Sequence, residues 1–297
     1  MTDRGRFRGV GVALVTPFLE DGTPDFEGFA AHVDFVISEG VDFLVPCGTT
    51  GESATLDDGE QRAVIAEAVR AADGRVPVMA GAGTNDTRHA ARLARAAGEA
   101  GADAVLSVSP YYNKPNPDGL FRHYEAVAQA AGTGVMVYNV PGRTSGNIDP
   151  DTLFRIAAIE NVIGVKEASG DLGQIMTIIQ GRPDGFLVLS GDDALTLPMV
   201  AAGADGVISV VANEAPGGMS RLVTAALAGD LQAARREHYG LYPLMEANFI
   251  ETNPVPVKTA LEMMGRMEAR FRLPLAPMSE DNKDLLAEAL DAVGLLP

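Results

Sequence analysis

VIGVKEA, residues 162–168, is an apolar, β-branched run with a lysine near its end. It reads as a buried strand. Lysine is scarce in this chain, occurring only at Lys114, Lys166, Lys258 and Lys283, and an ammonium is costly to bury. Seven other runs resemble it: GVGVALV (9–15), FLVPCG (43–48), VPVMAGA (76–82), AVLSVS (104–109), GVMVYNV (134–140), FLVLSG (186–191) and GVISVV (206–211). All are apolar throughout, as expected of parallel strands covered on both faces. Eight strand–helix units fit into about 230 residues, which matches a (β/α)8 TIM barrel of about 250 residues. The rival is an open doubly wound sheet, and the count of eight similar units favours the barrel.

The segments between the runs carry helical spacing and end signals. Phe29, Val33 and Val36 fall on one face of a stretch that stops at Gly40, and Val64, Ile65, Ala68 and Val69 do the same before Gly74. A third stretch opens with Asp86 as an N-cap candidate and stops at Gly101. After Gly229 the alternation ends: DLQAARREHYGLYPLMEANFIE, VPVKTALEMMG and EDNKDLLAEALDAVG all read as helices. The expected organisation is a catalytic barrel over 1–229 and a C-terminal helical extension, 230–297, packed on it.

A chain of 297 residues, 46% of them hydrophobic, can build a large core. Its formal net charge of −17 opposes nucleic acid and anionic membrane as partners. Cys47 is the only cysteine, so no intrachain disulfide can form, which fits a reducing cytoplasm. The apolar run from Val10 to Val15 is too short to span a membrane and lacks a signal-cleavage pattern, so it reads as the first strand.

Barrel chemistry collects at the C-terminal ends of the strands. There, GTTGES (48–53) offers backbone N–H groups and hydroxyls suited to an anion, or is simply a glycine-rich turn. SPYYNKPNPDG carries Tyr111 and Tyr112, which could equally be loop anchors. In VYNVPGRTSG, alternation puts Met136, Tyr138 and Val140 on one face, with Arg143 in the turn beyond, placed to bind a carboxylate. Alternation also puts Gly164, Lys166 and Ala168 on one face, leaving room around the amine. Desolvation lowers a lysine pKa, and a neutral amine is the nucleophile for a Schiff base with a ketone. The structural alternative is a snorkelling lysine or a buried ion pair. The four histidines form no metal-ligand pair, and GAGTND (81–86) lacks the last glycine of a dinucleotide loop, so neither a metal site nor a dinucleotide site is apparent.

GVGVALVTPF, GTTGES, PYYNKP, YNVPGRT, GVKEASGD, LSGDD, GVISVVAN and NPVPVK occur in this order along almost the whole chain. Together they resemble the dihydrodipicolinate synthase family, in the class I pyruvate aldolase superfamily that includes N-acetylneuraminate lyase. The resemblance implies Lys166 as the imine-forming residue and Tyr138 as its proton donor and acceptor. Thr49 and Tyr112 would complete a proton relay, Tyr112 acting from a neighbouring subunit. Thr50 and the backbone at Ile208 would bind pyruvate, Gly191 of LSGDD would belong to the substrate-binding set, and Arg143 would hold the carboxylate of aspartate semialdehyde, in a reaction that needs no metal or organic cofactor. It further implies a homotetramer built from two tight dimers, placed in lysine and diaminopimelate biosynthesis. Ser53, Ala54, Asn85 and Tyr111 match a lysine-inhibitor site. His89 stands there where the family has a glutamate, and Asp58 and Gln61 also depart from the pattern.

Two alternatives remain. One is a related aldolase or hydro-lyase acting on a 2-keto-3-deoxy sugar acid, against which Arg143 and the double threonine argue. The other is a non-catalytic metabolite-binding barrel, against which the full set of Lys166, Tyr138, Thr49 and Tyr112 argues. The partner of Glu167, which alternation points away from the amine, stays open.

Overall fold

The computed structural model describes residues 4–296. Among them are eight strands: β1 (Gly9–Ala13), β2 (Phe43–Val45), β3 (Met79–Gly81), β4 (Ala104–Val108), β5 (Gly134–Asn139), β6 (Val162–Glu167), β7 (Leu187–Ser190) and β8 (Gly206–Ser209). Every ladder is parallel, in the order β2-β1-β8-β7-β6-β5-β4-β3. An isolated parallel bridge between Leu44 and Val78 joins the two ends, with Leu44 N donating to Pro77 O at 3.0 Å. The sheet is therefore a barrel, and the open-sheet rival fails.

Alternation sorts the strand residues into two layers. Val10, Val12, Leu44, Val105, Val135, Val137, Val165, Val188 and Val207 face outward into the helix layer. Phe43, Val45, Met79, Leu106, Met136, Leu187, Leu189 and Ile208 fill the interior, with Phe7 stacked edge-on against Phe43 before β1 begins. A register shift between Val135 and Met136 lets β6 bring both Val162 and Gly164 alongside β5.

The helices between strands are α1 (Phe26–Ser38), α2 (Asp58–Ala72), α3 (Thr87–Glu99), α4 (Pro117–Ala131), the single turn α5 (Pro141–Thr144), α6 (Pro150–Ala157), α7 (Leu172–Gly181), α8 (Thr196–Ala201) and α9 (Pro216–Leu227). Aspartates start five of them. Asp25, Asp57, Asp86, Asp149 and Asp171 each accept a backbone N–H as N-caps, a contact worth about 1 kcal/mol. Asp57 and Glu60 form a full capping box.

Beyond α9 the chain is helical: α10 (Leu231–Ala247), capped by Asp230, then α11 (Val255–Met263) and α12 (Glu280–Ala292). α10 packs along α9, and α12 lies against α10 and α11. The loop from α10 to α11 returns over the C-terminal ends of the strands, where Phe249 and Asn253 reach the barrel mouth. No helix among the described residues is long and apolar enough to cross a membrane.

Candidate active site

β6 delivers Lys166 to the interior at the mouth, and β5 delivers Tyr138 beside it in register. Lys166 is 6% exposed, and its Nζ lies 4.4 Å from the centroid of the Tyr138 ring. A cavity of ≈ 170 Å³ opens above them. Its lining brings together Thr49, Thr50, Tyr138, Arg143, Lys166 and Gly191, six of the residues singled out from the sequence. Asp192, Val210, Phe249 and Asn253 complete it from other segments.

The space around the amine has a different origin from the one expected. A Cβ on Gly164 would meet Leu187 O at 2.5 Å, so that glycine admits the neighbouring strand and leaves no room for the lysine. The glycine that makes room is Gly191. A Cβ there would stand 3.0 Å from Lys166 Cε and 2.8 Å from Ala168 Cβ.

Burial pushes the Lys166 amine down to about 8, the Arg143 charge adds to this, and Asp193 opposes it. Among the described residues no carboxylate hydrogen-bonds the amine, and near pH 8 its neutral and charged forms are balanced. Burial pushes the Tyr138 phenol up to about 12, against the pull of Arg143 and a hydrogen bond with the Thr49 side chain. Tyr138 thus stays protonated and linked to Thr49, a donor beside a nucleophile. Arg143 sits in α5, whose helical turn follows β5 directly, and its Nη2 donates to Asn253 O at 3.3 Å.

Glu167 points outward, as alternation requires, and it is fully buried. Asn139 Nδ2 donates to both carboxylate oxygens at 3.2 and 3.0 Å, and Ser169 N donates to Oε1 at 2.8 Å. Asn139 Oδ1 in turn accepts from Ile148 N at 3.0 Å. Since Asn139 and Glu167 are paired just beyond Tyr138 and Lys166, this network clamps the two strand ends that carry the reactive pair.

Other candidates lie apart from the amine. Ile208 belongs to the same interior layer as Tyr138 but does not line the cavity; Val210 does. Tyr112, in the loop after β4, is 89% exposed and does not line the cavity at Lys166. Its backbone is left-handed (φ 71), and Asn113 Nδ2 ties the loop to Asn85 O at 2.9 Å. Ser53, Ala54, His89 and Tyr111 line a second cavity of ≈ 390 Å³ with Asp58 and Gln61, and Asn85 adjoins it through Thr84. His89 Nε2 lies 2.8 Å from Asp58 Oδ1 there.

Sequence reasoning passed over Asn253, Lys258 and Asp193. Asn253 and Lys258 stand in NPVPVK, a motif whose polar ends in an apolar segment were the available signal. Lys258 is fully buried, and its Nζ donates to Glu52 Oε1 at 2.7 Å, to Thr16 O at 2.9 Å and to Arg270 O. It thereby ties α11 to the GTTGES loop. Asp193 Oδ2 accepts from Val210 N and Val211 N at 2.9 and 3.0 Å, fixing the chain that leaves β8 beside the cavity. Among the described residues no cluster of histidine, cysteine and carboxylate could hold a metal ion.

A model of the Dihydrodipicolinate synthetase family matches residues 6–293. The 4-hydroxy-tetrahydrodipicolinate synthase of Koribacter versatilis is 49% identical over 292 residues, 98% of this chain and 97% of its own. The crystal structure of dihydrodipicolinate synthase from Aquifex aeolicus superposes with a TM-score of 0.95 at 46% identity, covering 97% of this chain and 99% of that one. A monomeric dihydrodipicolinate synthase variant superposes with a TM-score of 0.97 at 43% identity, over 99% of both chains. Full-length similarity at this level, on a barrel with this set of residues at its mouth, places the chain in the dihydrodipicolinate synthetase family.

Proposed function

We propose that this protein is a lyase of the class I aldolase type, condensing pyruvate with L-aspartate 4-semialdehyde to 4-hydroxy-tetrahydrodipicolinate. The observation that carries this reading is the buried Lys166 amine, pushed down to about 8, against a protonated Tyr138. The neutral amine attacks the ketone carbon of pyruvate. Tyr138 supplies a proton to the departing hydroxyl, water leaves, and an imine remains. The imine draws electrons from the pyruvate methyl, which loses a proton to give an enamine. The enamine carbon attacks the aldehyde, whose oxygen takes up a proton. The substrate's own amino group then adds to the imine carbon and expels Lys166, closing the ring.

The remaining roles follow from position. The Thr50 hydroxyl lines the cavity where the pyruvate carboxylate would lie, with Gly191 keeping that space open. Arg143 at the rim would take the carboxylate of the second substrate as a bidentate partner. Thr49 links Tyr138 toward solvent, and the exposed Tyr112 would complete the relay in a second copy of the chain. That role makes a dimer the smallest complete unit, with a tetramer as a pair of such dimers. The reaction belongs to lysine and diaminopimelate biosynthesis, and we place it in the cytoplasm, where the single Cys47 stays unpaired.

A coupled assay tests the substrate assignment. Pyruvate with aspartate semialdehyde should turn over, and 2-keto-3-deoxy sugar acids should not be cleaved. The reverse outcome would replace this reading with that of a sugar-acid aldolase.

A further inference from the structure

The loop between α10 and α11 reaches the active-site mouth with Phe249 and Asn253, and Asn253 hydrogen-bonds two residues there. Asn253 is 5% exposed and lines both cavities. Its Nδ2 donates to Thr50 Oγ1 at 3.0 Å, and its main-chain oxygen accepts from Arg143 Nη2 at 3.3 Å. Its Oδ1 is buried without a hydrogen-bond partner among the described residues. Helix α11, which starts two residues after Asn253, is tied to the GTTGES loop by the buried ion pair of Lys258 and Glu52, which gives Asn253 a firm base.

The direction of the Asn253–Thr50 hydrogen bond has a chemical consequence. A hydroxyl has one proton and two acceptor positions. Once the Asn253 amide occupies an acceptor position of Thr50, the hydroxyl proton is free to turn into the cavity. The oxygen is then set as a donor, the polarity that a carboxylate beside Lys166 requires. The same residue's carbonyl holds the Arg143 guanidinium, which is exposed at the rim and would otherwise sample many rotamers.

We propose that Asn253 is a positioning residue that sets the hydrogen-bond polarity of Thr50 toward a keto-acid carboxylate and anchors Arg143 over the mouth. The C-terminal extension thereby forms part of the active site. The inference rests on the pyruvate reading above and adds a residue to it. Its most selective test is Asn253→Asp, which keeps the shape and replaces the donor by an acceptor. An aspartate would capture the Thr50 proton and set a negative charge beside the anion.

Steady-state kinetics on Asn253→Asp and Asn253→Ala, with thermal unfolding and borohydride trapping of pyruvate in parallel, test the proposal. For Asn253→Asp we expect the KM for pyruvate to rise about tenfold at pH 8, with kcat within about threefold and an unfolding midpoint close to wild type; Asn253→Ala should raise it about threefold. The excess in the Asp variant should shrink as pH falls and the carboxyl regains a proton to donate. The KM for the aldehyde should move less, because Arg143 is held by the main chain. Unchanged pyruvate KM in both variants, with an adduct in the wild-type protein, overturns the role of Asn253 alone. So does a parallel fall of kcat, affinity and unfolding midpoint, which would mark a merely structural residue. Absence of an adduct in the wild-type protein overturns the functional reading itself.

Discussion

Two of the four lysines are buried, and their surroundings give them opposite properties. Lys258 is fully buried, with its amine donating to Glu52, Thr16 and Arg270 and flanked by the rings of Phe18 and Phe271. Three acceptors satisfy three ammonium protons, and Glu52 balances the charge. Burial pulls this amine down, but Glu52 opposes it directly. Lys166 is buried at the mouth with the Tyr138 ring on one side and open cavity on another. Asp193, whose charge opposes the desolvation of this amine, spends its Oδ2 on backbone N–H groups. Desolvation without pairing makes a nucleophile, whereas desolvation with pairing makes a structural cross-link.

Substitution should separate the two lysines most sharply. Lys166→Met should lower turnover by at least about 10³-fold, as loss of a covalent nucleophile does. The same change should stabilise the protein. The folded pKa of about 8 lies below the ordinary value of about 10.4, so the unfolded chain binds more protons between these values. The burial cost is therefore fully present below pH 8 and fades as pH rises toward the unfolded value. Urea unfolding at pH 7 should show a gain of up to about 3 kcal/mol, and a loss would contradict an unpaired buried amine.

Lys258→Met should do the reverse. It leaves the buried Glu52 carboxylate without its ammonium partner, with, among the described residues, only the Arg272 backbone N–H still donating to it, and the expected loss is about 3–5 kcal/mol of stability. Adding Glu52→Gln should recover much of that loss, and the recovery is the signature of a pair. The pH dependence sharpens the contrast at smaller amplitude. The rate of imine formation with pyruvate should climb with pH up to about 8, as the Lys166 ammonium loses its proton, and then level. A profile flat from pH 6 to 9 would contradict the depressed amine. The smallest expected effect is at the second cavity, where His89 contacts Asp58. We propose this cavity as an L-lysine inhibitor site, and His89→Glu should then make inhibition stronger by a few-fold, about 1 kcal/mol for one added charge partner at a half-exposed site, read as a shift in the inhibition curve.

The barrel was legible because its strands are covered on both faces, so each reads as an unbroken apolar run. Asp86 and the glycines at 40, 74 and 101 marked helix ends correctly, since capping is a local matter. Lys166, Tyr138 and Arg143 could be grouped from strand alternation and the rule that barrel chemistry sits at strand ends. Gly164 was misread because alternation gives the face of a residue and not its neighbour; Leu187 fills that space, and Gly191 serves the amine instead. Asn253 and Lys258 were passed over because their partners, Thr50 and Glu52, lie 203 and 206 residues away. Glu167 needed the strand pairing to reveal Asn139 as its partner. No local pattern encodes such contacts.

The central claim is that one buried lysine is a nucleophile and the other is not. Incubation with pyruvate and borohydride, followed by peptide mapping, tests it directly. One reduced pyruvate adduct is expected, on Lys166, with Lys258 unmodified. No adduct under conditions that trap a known imine-forming enzyme, or an adduct confined to another lysine, would contradict it.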